Sequence, residues 1–162
     1  MIALSNAHNL LMQENWAGAI LSEVVRAALR PHDTPDDTRF KVTAGPDIRL
    51  SAKTALAIAM ALHELSTNAL KYGALSVPGG CVDLSWEVRG ERDAARFRME
   101  WRERGGPPVK APEKTGFGTR LVERGLASEL GGTVRIAYEP GGLVCTIEAP
   151  LPRVGADEEG LP

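Results

Sequence analysis

A glutamate, an asparagine and a lysine recur at helical spacing in the stretch His63-Glu64-Leu65-Ser66-Thr67-Asn68-Ala69-Leu70-Lys71-Tyr72-Gly73. An α-helix turns ~100° per residue, so Glu64, Asn68 and Lys71 project within an arc of about 60°. A carboxylate, an amide and an ammonium then share one face, which offers oxygens to a hard cation and donors to phosphates. Ile58, Leu62, Leu65 and Ala69 fall on the opposite side and read as the core stripe. The same spacing also suits a solvated helix face carrying an i,i+4 polar pair, and nothing in it alone decides between the two.

Two further stretches carry polar chemistry. Side chains alternate along a strand, so Glu103 shares the face of Phe97, Met99 and Trp101. An acid aimed at the apolar side needs a donor, and the exocyclic amino group of adenine would serve. The glycines of Gly105-Gly106-Pro107 would let a flat base approach the backbone. The alternative is a strand that ends before Glu103 and leaves it in water. Next, Gly116-Phe117-Gly118-Thr119-Arg120-Leu121 opens a helical segment. Free N–H groups at such a start, with the fork of Arg120, suit an anion. A plain loop-to-helix connection fits those residues too, and neither a Rossmann fingerprint nor a Walker-type phosphate loop is present.

The elements that must position these residues follow from pattern. Residues 2–30 read as two helices broken near Asn15-Trp16-Ala17-Gly18, and Pro31 to Asp37 as a polar connector. Phe40-Lys41-Val42 alternates like a strand, and Gly45-Pro46-Asp47 turns. Ser51 caps a helix that runs to about Tyr72 and stops at Gly73. Val82, Leu84, Trp86 and Val88 mark one strand; Phe97, Met99 and Trp101 mark the next, across a turn at Gly90 to Asp93. A helix from about Thr119 ends at Gly131-Gly132. Two last strands, Val134 to Tyr138 and Leu143 to Glu148, are joined by Glu139-Pro140-Gly141-Gly142. The tail from Arg153 is expected to be disordered.

Composition narrows the classes. The chain has 162 residues, 43% hydrophobic and 25% charged, with a net charge of -2, the balance of one globular domain. Its charges are mixed and its aromatics few, which argues against a nucleic-acid partner. No apolar run approaches the ~18 residues that cross a bilayer, so direct membrane insertion is not expected. Cys81 and Cys145 lack neighbours at metal-ligand spacing and read as core thiols; a reducing cytoplasm fits.

The order and spacing of these stretches resemble the HWE family of histidine kinases, named for a His in the N box and a Trp-x-Glu motif. Here these are His63, opening residues 63–76, and Trp101-Arg102-Glu103, while Gly105-Gly106-Pro107 resembles the G1 box and Gly116 to Leu121 the G2 box. The resemblance covers roughly Ala3 to Pro152. It implies a Bergerat (GHKL-type) α+β fold: a two-layer sandwich with a mixed, mostly antiparallel sheet of about five strands and about three helices on one face, preceded by N-terminal helices. It further implies ATP and Mg²⁺ as cofactors. Asn68 would coordinate Mg²⁺, Glu64 would orient or deprotonate the attacking imidazole, Lys71 would contact phosphate, and Tyr72 would lie near base or ribose. Glu103 would accept from adenine, with Gly105 and Gly106 beside it, and Gly116, Gly118, Thr119 and Arg120 would frame the triphosphate. Pro108 to Thr115 looks like a short lid. His63, about 100° round the helix from Glu64, is expected to support or pack rather than touch nucleotide, and Trp101 to anchor the core.

One departure stands out. No His-Arg-x-x-Asn acceptor motif exists, and His8 sits on an apolar stripe with Leu4 and Leu11, so it is read as a packing residue. The expected division is 1–14 as the end of a dimerisation region lacking its acceptor His, 15–152 as the catalytic domain, and 153–162 as tail. The resemblance implies two partners: the dimerisation domain of the full kinase and a response regulator receiver domain. The rival readings are another GHKL protein, such as an anti-sigma serine kinase or an ATPase, and a nucleotide-free regulatory module.

Overall fold

The structure, a computed structural model, describes residues 19–34, 38–109, 119–120 and 122–152. The expectations for residues 1–14, for most of the lid, for Gly116 and Gly118, and for the tail lie outside the described residues.

Alternating burial builds the main sheet. It has five strands: β2 (Phe40–Thr43), β4 (Cys81–Arg89), β5 (Arg96–Arg104), β6 (Thr133–Glu139) and β7 (Gly142–Pro150). Their order is β2-β4-β5-β7-β6; β2 runs parallel to β4 and every other pair is antiparallel. Val82, Leu84, Trp86, Phe97, Met99, Trp101, Cys145 and Ile147 are buried on one face. The other face carries charge at alternate positions, as period two requires. There Arg98 and Arg102 both bond Glu100, at 3.2 and 2.9 Å. A second, two-stranded sheet pairs β1 (Ala19–Ile20) with β3 (Arg49–Leu50).

Helices cover the buried face. They are α1 (Leu21–Leu29), α2 (Ala52–Lys71) and a π-helical turn Val122–Leu126 that continues into α3 (Ala127–Leu130). Ser51 caps α2 by accepting from the Thr54 N–H at 3.2 Å, as its residue type predicts. Ile58, Leu62, Leu65 and Ala69 are buried in one cluster with Val24, Val25, Leu84 and Trp101. Gly131, at φ 66, takes the left-handed conformation that ends α3. This is the α+β architecture expected from the sequence: a mixed five-stranded sheet with helices packed on one face.

Two details differ from the sequence reading. The helix expected from Thr119 to Gly131 is interrupted by π-helical geometry at Val122–Leu126, and residues 92–94 form a 3-10 turn with Arg92 at φ 53. Both are local departures that apolar periodicity does not encode, because burial of Val122 and Leu126 is satisfied either way.

Candidate functional site

The site forms where α2 ends beside the end of β5. Strand parity holds to the last position: β5 runs to Arg104, and Glu103 is buried at 4% exposure. Its Oε1 accepts the backbone N–H of Ala74, just past α2, at 2.9 Å. Its Oε2 accepts the indole N–H of Trp101 at 3.1 Å. Burial pushes the Glu103 carboxyl above its usual range, against the pull of those two donors. A carboxylate has about four lone-pair sites, so acceptor capacity remains on each oxygen.

Glycines bring the surrounding backbone close. A Cβ on Gly73 would lie 2.0 Å from Glu103 Oε1, and one on Gly106 would lie 2.6 Å from Ala74 Cα. Gly105, at φ 72, takes a conformation few other residues adopt, and its place is against Gly79 and Gly80. Residues 73–80 and 103–106, separate in sequence, thus form one wall.

On α2, Glu64 and Asn68 are half-buried, Lys71 is exposed, and Tyr72, the helix cap, is 76% exposed. Thr119 and Arg120 are helical, the first half-buried and the second exposed. The π-helical turn that follows packs against α2. Glu64, Asn68 and Lys71 therefore share the helix that ends at Glu103, while the glycines of the 116–121 motif are not among the described residues.

His63 is half-buried, and its Nδ1 lies 3.2 Å from Nε2 of His32, in the 3-10 turn after α1. Burial lowers the pKa of both rings, and the charge of His63 lowers that of His32 further. Sequence reasoning missed three participants: His32, the Ala74 N–H and the Trp101 indole as donor. A backbone amide leaves no trace in residue type. The Trp101 bond was legible, because positions two apart on a strand share a face. It also supplies a physical reason for a Trp-x-Glu pair: the indole satisfies the buried acid.

The comparisons with known proteins fit this geometry. Residues 1–47 match the family model described as HWE histidine kinase. A blue-light-activated histidine kinase of Brucella anthropi is 40% identical over 149 residues, covering 92% of this chain and 30% of that protein. The corresponding kinase of Brucella ovis is 37% identical over the same length. The chain thus spans about 30% of the length of these curated relatives. Among solved structures, the histidine kinase domain of a blue-light activated kinase from Erythrobacter litoralis superposes with a TM-score of 0.65 at 21% identity, covering 92% of this chain and 73% of that one. The histidine kinase domain of the E. coli osmosensor EnvZ gives 0.53 at 20% identity, covering 85% and 90%. The solved structures speak for the fold and the sequence relatives for descent; with the Trp101–Glu103 pair in place, the chain belongs to the HWE histidine kinase family.

Proposed function

We propose that residues 15–152 bind Mg²⁺-ATP and present its γ-phosphoryl group to a histidine of the kinase's dimerisation domain, of which residues 1–14 would be the end. The observation that carries this reading is Glu103: a buried acid with spare acceptor capacity, walled by glycine backbone, beside the helix that bears Asn68. An adenine amino group would donate to the acceptor sites that Ala74 and Trp101 leave open on this acid.

The residues present fit Mg²⁺. Asn68 offers an amide oxygen and Glu64, one helical turn away, a carboxylate; both are hard donors, and Mg²⁺ ordinarily completes its shell with water and phosphate oxygens. Asn68 would hold the ion, which supplies charge neutralisation at the triphosphate. Lys71 and Arg120 add cationic donors for phosphate, and the N–H groups around Gly116, Gly118 and Thr119 add more. Glu64 orients the acceptor imidazole and takes its proton as the N–P bond forms and the ADP oxygen leaves. Catalysis then rests on positioning and on stabilising charge that spreads over the transferring group. A response regulator receiver domain, through its Asp, is the onward acceptor.

Calorimetry tests the reading. The wild-type chain should bind a non-hydrolysable ATP analogue with Mg²⁺, and Asn68→Ala should weaken it by about tenfold or more. No binding by either protein would favour the nucleotide-free module. The chain alone should incorporate little phosphate; with a separate acceptor-helix domain it should yield phosphohistidine, and phosphoserine in its place would favour the anti-sigma type of kinase.

A further inference from the structure

The turn between α2 and β4 holds no apolar side chain larger than Leu75 in the core, yet its Ala74 N–H must meet Glu103 accurately. Something else has to hold its shape. Arg39, on the residue before β2, sends its guanidinium into that turn. Nε donates to the Gly80 carbonyl at 2.9 Å, Nη1 to Leu75 at 3.1 Å, and Nη2 to Ala74 at 3.2 Å and to Val77. One planar fork thus gathers four carbonyls that face inward from a turn with few bonds of its own.

The base of the fork is itself fixed. The Arg39 carbonyl accepts the Val82 N–H at 2.9 Å, and the Arg39 N–H donates to Asp33 Oδ1 at 3.2 Å. Ala74 is consequently held from several sides: its carbonyl by Arg39, its N–H by Glu103, and its backbone by the close approach of Gly80 and Gly106.

We propose that Arg39 is a positioning residue for base recognition: by clamping the turn Ala74–Gly80 it sets the Ala74 N–H on Glu103, and so aims the free lone pairs of that acid. The inference rests on the reading above, in which Glu103 accepts from adenine. A carboxylate aimed in this way favours an amino group at the six-position of a purine and rejects the carbonyl oxygen that guanine carries there. Loosening the clamp should therefore reduce the preference for adenine over guanine, beyond any general loss of affinity.

The test compares wild type, Arg39→Met and Arg39→Lys. The probes are the imido analogues of ATP and GTP with Mg²⁺, titrated by calorimetry, together with amide hydrogen exchange. In Arg39→Met the Ala74 amide should exchange at least about tenfold faster while amides of β5 and β7 stay protected. Affinity for the ATP analogue should fall about tenfold to a hundredfold with little change for the GTP analogue, collapsing the ratio between them. Arg39→Lys keeps the charge without the fork and should fall between, which also serves if the Met variant folds poorly. A selective wild type with equally selective Arg39 variants, or with equal losses for both nucleotides, overturns this inference alone. A wild type with no preference for the adenine analogue overturns the nucleotide reading beneath it.

Discussion

Gly73 has no room for a side chain. An added Cβ would fall 2.0 Å from Glu103 Oε1 and 3.1 Å from Ala69 Cα. Gly73→Ala should therefore push the acid off its Ala74 donor, at a cost of roughly 1–3 kcal/mol, with at least about tenfold weaker binding of an ATP analogue. Urea denaturation and calorimetry on the same preparation check both; unchanged values would mean the acid can move freely. Glu103 itself should leave a pH signature. Burial raises its pKa above the ordinary 4.5, so the native chain keeps this proton to higher pH than the unfolded chain does. Its contribution to stability is complete below about 4.5 and is lost as pH rises through the native value. Glu103→Gln cannot titrate, so wild-type stability relative to this variant should decline as pH rises above about 4.5. A difference that grows over that range would show the site stabilising the charged form.

Helix α2 links the core to the site, and its two faces follow from one periodicity. Ile58, Leu62, Leu65 and Ala69 are buried, while Glu64, Asn68 and Lys71 reach outward from between them. Where α2 meets the segment after α1, the contact is polar: His63 against His32, ring centroids 5.2 Å apart. Both pKa values are lowered from 6.5, first by burial, while the charge of Glu64 partly restores that of His63. A lowered pKa in a base means the unfolded chain binds protons first on acidification. The stability tied to the neutral pair is present above about 6.5 and is lost as pH falls through the native values. Thermal unfolding at about pH 7.5 and about pH 5.5 should show a larger drop in Tm for wild type than for His32→Gln. Equal drops would detach the pair from acid sensitivity.

At the scale of the molecule, one sheet face makes the core and the central strands enclose their polar atoms. Cys145, on β7 between β5 and β6, is fully buried, and burial with the nearby charge of Glu123 pushes its thiol up to about 12. It should resist alkylation in the native chain and react only as the sheet opens, so that its rate of modification follows global unfolding. Mass spectrometry of alkylated peptides across a urea series checks this. Rapid labelling of Cys145 without denaturant would mean β7 opens locally. Among the described residues no helix is long and apolar enough to cross a membrane.

Much of this was written in the one-dimensional pattern. The strand faces of β4 and β5, the Ser51 cap and the two sides of α2 follow from periods of 2 and 3.6. Those periods are local properties, decided by neighbours in the chain, and the Trp101-x-Glu103 and His63 motifs ride on them. What no local rule contains is which distant group meets which. The bond from Ala74 to Glu103, the fork of Arg39 in the turn at 74–80, and the meeting of His32 with His63 join residues 29 to 41 positions apart. Such contacts exist only once the sheet order β2-β4-β5-β7-β6 brings separate segments together, because burying a polar group selects whichever donor the assembled fold sets beside it.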